Sequence, residues 1–204
     1  MVKIASTETN MPPSRREELI DSAMKVFYAH GFHNTGLDMV LAESNISRMT
    51  LYNHFKSKDE LIVAALLRRD ELFRSSLMDY VSKQPADPIK RLLAVFDWHE
   101  KWFTGKDFNG CMFINASSEF FEPSDPVRKV AAEHKSAILR YITERCEMAN
   151  LKRPKELANQ LMLLIEGAIV IAHIHGSTGH EGAKPDDAAR TAKAAAKKLI
   201  DGAK

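Results

Sequence analysis

Residues 44–61, SNISRMTLYNHFKSKDEL, place a helix end, a three-residue turn, a short second helix and the capped start of a third in one uninterrupted stretch. Asn45 tolerates the left-handed backbone that closes a helix and redirects the chain. Ser47 then offers a side-chain oxygen to the free N–H groups of a new helix, which Ile46, Leu51 and Phe55 are apolar enough to pin. Ser57 and Glu60 form a capping box, so that helix ends near Phe55 or Lys56 and another begins at once, with Leu61, Ile62, Ala65 and Leu66 on one face. Helices that stop, turn and restart this closely have the layout of a helix-turn-helix.

Upstream, Thr35 precedes the apolar positions Leu37, Val40 and Leu41 and has Asp38 three residues on, a start in which both side chains can satisfy free backbone N–H groups. Ser14 and Glu17 make one more such box. It opens a helix whose Leu19, Ile20, Ala23, Val26 and Phe27 keep the helical period until Gly31 stops it. Three short helices can then share one small core, which leaves Arg48, Met49, Thr50, Tyr52, Asn53 and His54 for other work. Between Ser44 and Lys58 the formal charges are Arg48, Lys56 and Lys58, all positive, although residues 1–60 carry seven basic and eight acidic side chains. The basicity is local.

The run FYAHGFHNTGLDMVLAESNISRMTLYNHFKSKDEL, within a match from Ser14 to roughly Leu66, resembles the N-terminal domain of the TetR (tetracycline-repressor-like) family of bacterial transcriptional regulators. Two departures stand out: Asn45 occupies a position that usually holds Gly, and Met49 one where a small residue is common. The resemblance implies a homodimer that binds a double-stranded DNA operator. Arg48 and Thr50 would approach base edges while Tyr52, His54 and Lys58 hold phosphates, with Thr35, Ser47, Met49 and Asn53 completing the DNA-facing set. The chemistry agrees, since hydroxyl, imidazole and ammonium groups fix register on phosphate oxygens and Arg can contact guanine in a bidentate way. Met49 either touches a thymine methyl or deoxyribose, or tucks toward the core.

With 204 residues, 45% hydrophobic and 27% charged, the chain has room for this head and a larger domain with its own core, and a net charge of +2 selects no class of partner. Two cysteines, Cys111 and Cys146, without a secretory pattern point to free thiols in a reducing cytoplasm. The most apolar stretch, 161–174, contains Glu166 and His173 and falls short of the roughly 20 apolar residues a bilayer span needs, so no membrane segment is expected. Pro and Gly divide the remainder into helices at 57–83, 88–104, 111–121, 126–150, 154–175 and, after the Gly-rich loop 176–182, 185–200. Asp87-Pro88 and Asp125-Pro126 are matching start signals. With no β-alternation, the expected fold is all-α with about nine helices. Residues 1–13 form a mobile N-terminal arm, 14–60 the helix-turn-helix DNA-binding domain, and 61–204 a ligand-binding and dimerisation domain.

The helix at 154–175 is apolar on every side, with Leu157, Leu161, Met162, Leu163, Leu164, Ile165, Ala168, Ile169, Val170, Ile171 and Ile174, and such a helix must be buried all round. The last helix presents Ala188, Ala189, Ala192, Ala194, Ala195 and Ala196, a small-residue face that permits close approach. Together they are the expected half of a four-helix homodimer interface, where the resemblance also places it. Two reading helices related by a two-fold axis would then meet successive major grooves of a palindrome about 34–36 Å apart.

The resemblance further implies a small-molecule inducer in the second domain and no cofactor. A buried polar group needs a partner, so the candidates to hold it are His99, His134, Glu166 and His173 within apolar stripes and Asn115 and Glu119 on a narrow polar arc opposite Phe113, Ala116 and Phe120, with Trp102 and Phe103 as aromatic walls. Each can equally be a satisfied core or interface group. His173 and His175 are two apart, on opposite sides of a helix, so no metal site is expected. The expected function is that of a ligand-responsive repressor, released from its operator by the inducer. A sequence-tolerant DNA-coating dimer is the alternative. An enzyme is the remaining class, against which stand the missing nucleophile elbow and phosphate loop.

Overall fold

The computed structural model describes residues 13–176 and 184–204; the expected arm, apart from Pro13, and the Gly-rich loop after Gly176 lie outside the described residues. The described residues form nine α-helices and no strand: α1 (Arg15–His30), α2 (Leu37–Ser44), α3 (Arg48–His54), α4 (Lys58–Ser82), α5 (Pro88–Phe103), α6 (Met112–Glu119), α7 (Pro126–Met148), α8 (Pro154–Gly176) and α9 (Pro185–Gly202). The all-α expectation holds, with ends displaced by no more than two residues from those read in the sequence.

Local chemistry explains most of the boundaries. The Ser14 hydroxyl accepts the Glu17 N–H at 3.3 Å while the Glu17 carboxylate accepts the Ser14 N–H at 2.7 Å, the reciprocal box that opens α1. Gly31, at φ 81°, closes that helix in a conformation that penalises any side chain. Asn45 takes the left-handed conformation at φ 53°, ψ 34° and ends α2. Ser47 accepts the Thr50 N–H at 3.2 Å and so starts α3. At α4 the Ser57 hydroxyl accepts the Glu60 N–H at 3.1 Å, but the Glu60 carboxylate takes the Lys56 N–H at 2.7 Å, one residue before the position a capping box would use.

Thr35 departs from expectation. The cap of α2 is Gly36, without a side-chain bond, and the fully buried Thr35 donates its hydroxyl to the Gly31 carbonyl at 2.6 Å. Gly31 has turned that carbonyl into reach, so Thr35 braces the loop before α2 instead of capping it or facing DNA.

Leu19, Ala23, Phe27, Val40, Leu51, Phe55, Leu61 and Ala65 fill the core of the head. The 25-residue α4, about 37 Å long at 1.5 Å per residue, continues from that core into the body. It packs on α1, α5 and α7. Arg68 reaches Asp21 of α1 at 3.3 Å, Asp70 meets His134 of α7 at 2.7 Å, and Ser76 accepts the Trp98 indole N–H of α5 at 3.1 Å. Helix α9 lies along α5 and α8, tied to α5 by Lys193 with Asp97 and by Arg190 with Glu100.

Helix α8 is buried on one side only. Leu157, Leu161, Ile165, Ala168, Ile169 and Ala172 are in the core, whereas Leu163 is 74% exposed and Val170, Ile171 and Ile174 are exposed beside it. The chain's own helices cover α8 from α7 and α9 and leave an apolar stripe open. The apolar run is also longer than the sequence reading allowed: residues 154–175 are long and apolar enough to cross a bilayer by length and composition, with a mean hydropathy of 1.7 over their most apolar 18 residues, though the buried face of the helix is part of the core. Both cysteines are free and buried, and burial pushes the Cys146 thiol up to about 11.

Candidate nucleic-acid interface

Because Leu51 and Phe55 are buried and Ile46 precedes the cap, α3 has one face fixed to the head and the other turned outward. Met49 is 76% exposed and Tyr52 51% exposed, with Arg48, Asn53 and His54 also on the surface. Met49 therefore points away from the core. Thr50 is half-buried, its hydroxyl 2.8 Å from that of Ser47. Of the nine residues expected to face DNA, eight lie on or beside this surface and Thr35 does not.

Two of the cations already have partners. The Arg48 guanidinium is paired with Asp38 of α2, both side chains being largely exposed. An exposed pair of this kind contributes little and is readily exchanged for a phosphate or a base. Lys58 donates to the His33 carbonyl at 3.3 Å from the first turn of α4, where its ammonium adds to the positive end of the helix. The resulting surface offers an exposed Arg, hydroxyls and an imidazole on one short helix, flanked by a Lys at a helix N-terminus. That set suits a nucleic-acid backbone with base edges between its strands.

The same head is bolted to the body by residues that the sequence reading assigned elsewhere. Glu119, at the end of α6, accepts the Phe32 N–H at 2.9 Å and the His33 N–H at 2.6 Å, and lies 3.1 Å from the His33 ring nitrogen. Phe120 stacks on His33 at 4.8 Å. On the adjacent turn of α1, Tyr28 donates its hydroxyl to the Gly110 carbonyl at 2.9 Å and accepts the Asn109 N–H at 2.8 Å; burial raises its pKa and keeps it a donor. Glu119 is thus a clasp on the α1–α2 turn, which in turn carries the carbonyl that holds Lys58.

The remaining expected ligand residues do not converge on one cavity. His99 is buried, its Nδ1 2.7 Å from the Val95 carbonyl, and His134 lies flat on Phe113 at 3.7 Å with its Nδ1 2.7 Å from Asp70. Burial holds both imidazoles neutral, with pKa values lowered to about 4. Phe103 is buried against Phe108, Asn115 is half-buried on α6, and Glu166 is paired with Lys135 at 2.6 Å. His173 occupies the space a side chain on Gly110 would need. Among the described residues, no group of three or more His, Cys, Asp or Glu could hold a metal. A cleft of about 920 Å³ opens instead between α1, α4, α5 and the loop 104–111, and of the eight expected ligand residues Trp102 alone lines it.

A three-helix head with an outward helix, joined through one long helix to a helical body, has the architecture of a helix-turn-helix DNA-binding regulator. Two family profiles match: "Bacterial regulatory proteins, tetR family" over residues 19–65 and "Tetracyclin repressor-like, C-terminal domain" over residues 88–184. The chain belongs to the TetR family. It is 25% identical over 158 residues to the HTH-type transcriptional regulator YjdC of Escherichia coli, a match that covers 76% of this chain and 81% of that protein. It is 41% identical over 136 residues to the HTH-type transcriptional activator FasR of Mycolicibacterium smegmatis, covering 65% of this chain and 55% of that one. Among solved structures, the TetR-family regulator SCO4454 of Streptomyces coelicolor superposes with a TM-score of 0.81 at 27% identity, covering 93% of this chain and 95% of that one.

Proposed function

We propose that this chain is a homodimeric, ligand-responsive regulator that occupies a palindromic operator through two copies of α3 and leaves it when a small molecule binds the body, so that it acts as a repressor. The proposed domain division is a reading head at 14–60 and a ligand-binding and dimerising body at 61–204, working in the cytoplasm on double-stranded DNA. The observation that carries the reading is the outward face of α3, with Arg48, Met49, Tyr52, Asn53 and His54 exposed on a helix whose other face is locked by Leu51 and Phe55. The open stripe Leu163, Val170, Ile171 and Ile174, beside a groove lined by Gly167, Ala188 and Ala195, supports dimerisation through α8 and α9. Small residues in the groove let a partner helix approach closely.

Selection of bound duplexes from a random pool tests this directly. A regulator enriches one palindrome, with half-sites one helical turn apart, that binds by orders of magnitude more tightly than random duplex. If every duplex binds alike and the affinity follows salt alone, the chain coats DNA and the regulatory reading fails.

A further inference from the structure

The cleft between head and body has a chemical character of its own. One wall is a continuous aromatic surface: Trp98 lies 4.7 Å and Trp102 5.1 Å from Phe73, and Phe108 lies 5.1 Å from Trp102. Tyr28 of α1 also lines the cleft, and Tyr28, Trp102 and Phe108 are only half-buried, so ring surface remains open to a ligand. The volume of about 920 Å³ falls within the range of small-molecule sites.

Charge narrows the class of ligand. Helix α4 carries three arginines, of which Arg68 is paired with Asp21 and Glu71 and Arg74 with Asp70. Arg69 lines the cleft, lies 4.8 Å over the Tyr28 ring and has no carboxylate partner among the described residues. Lys106 adds positive charge to the lining, against the single acid Asp107, while Lys25 is paired with Glu43 at 3.6 Å. A guanidinium on an aromatic face, with its fork uncommitted to a carboxylate, suits a ligand that brings both a ring and an anion.

We propose that this cleft is the effector site and that its ligand is an aromatic carboxylate, with the ring against Trp102 and Phe108 and the carboxylate on Arg69. This rests on the reading of the chain as an effector-responsive DNA-binding dimer. Occupancy reaches the head through Tyr28, whose face meets Arg69 and whose hydroxyl fastens α1 to residues 109 and 110. A ligand that draws Arg69 off Tyr28 acts on the same turn-and-loop joint that Glu119 clasps. It favours one separation of the two heads only if it binds that shape more tightly than the other.

Trp98 and Trp102 are the two tryptophans of the chain and both line the cleft, so tryptophan fluorescence reports occupancy there. The full chain is titrated with para-tert-butylbenzoate and with its uncharged amide, para-tert-butylbenzamide, by fluorescence and calorimetry. Saturable binding is expected, with the acid preferred by about tenfold. Arg69→Gln should erase that preference while amide binding persists, which also shows that the variant is folded, and Arg69→Lys should restore part of it. Saturable binding with the preference intact in Arg69→Gln overturns the assignment, as does the absence of any saturable signal with millimolar acid. Because these titrations need no DNA, they separate the two readings. A selected palindrome without probe binding sinks the cleft alone; probe binding without any preferred duplex sinks the regulator and leaves the cleft as a site of another function.

Discussion

Acidification should destabilise the body well before its carboxylates titrate, because two imidazoles are buried in their neutral form. His99 and His134 have folded pKa values near 4, each lowered chiefly by burial and further by the Lys135 charge, against 6.5 for an ordinary imidazole. As pH falls below 6.5, the unfolded chain takes up protons that the folded protein refuses, so stability is lost progressively until the folded imidazoles also protonate near pH 4. Integrating the difference, each histidine removes about 2 kcal/mol between pH 7 and pH 5, and the pair about 4 kcal/mol. Asp70 acts outside this window: its pKa is depressed by Arg74 and His134 against the opposing effect of burial, so its contribution is present above about 3.8 and lost only below. Urea unfolding at pH 7, 6 and 5, at one fixed protomer concentration, measures the effect. His99→Phe keeps a ring in the site and should halve the loss. A stability that is flat between pH 7 and pH 5, or a full loss retained in His99→Phe, would refute the argument that these imidazoles are buried neutral.

Lys58→Ala should weaken binding to every duplex and flatten the salt slope by about one unit of charge, and an unchanged slope would contradict its phosphate role. Arg48→Ala should instead relax preference at one operator position by about 1–3 kcal/mol, read as the spread of affinities among single-base variants; an equal loss on all duplexes tells against base contact. Ile171→Glu places a charge in the open stripe of α8 and forfeits burial of the exposed halves of two isoleucines per dimer, roughly 1.5–3 kcal/mol before the cost of desolvating the charge, so sedimentation should find the equilibrium shifted toward monomers at micromolar concentration. A persistent dimer would place the interface elsewhere. Glu119→Ala strands the N–H of the buried Phe32 at a cost of about 1–3 kcal/mol and should speed hydrogen exchange in the 31–35 turn, with little change if the clasp is incidental.

The parts of the fold that were legible in the sequence are those decided within a few residues. Ser14 with Glu17, Ser47, Asp87-Pro88 and Asp125-Pro126 each open a helix through atoms two or three positions away, Asn45 closes one by its own left-handed backbone, and the helices begin and end there. Thr35 shows the limit even at that range, since Asp38 three residues on implied that the Thr35 hydroxyl accepts from the start of α2, whereas it donates to the Gly31 carbonyl and Gly36 takes the cap position. At longer range the helical period says which face a residue occupies and nothing about what meets it. It placed His134 and Glu166 on apolar faces and Glu119 on a narrow polar arc, but their partners are Asp70, Lys135 and the Phe32–His33 backbone, supplied by helices and a turn far off in sequence. The open face of α8 is the same problem in reverse, because an apolar stripe is written identically whether its cover comes from this chain or from a second copy.

The partners of these residues bear on the proposed regulation. A polar group withdrawn from water demands a partner, and in this fold Glu119 and His134 are satisfied by elements that join head, α4 and body, not by a cavity. An effector that had to compete for them would displace charge-assisted hydrogen bonds and leave buried groups unpaired, at a cost that would oppose its own binding. Arg69 and the aromatic wall beside it carry no such cost, since their exposed faces are solvated before the ligand arrives. Under the proposed regulation, a ligand that binds next to the joint would lean on Tyr28, and Glu119 would carry the displacement to the turn that holds Lys58. Loosening the clasp should accordingly weaken the effector's influence on operator affinity more than its own affinity for the cleft.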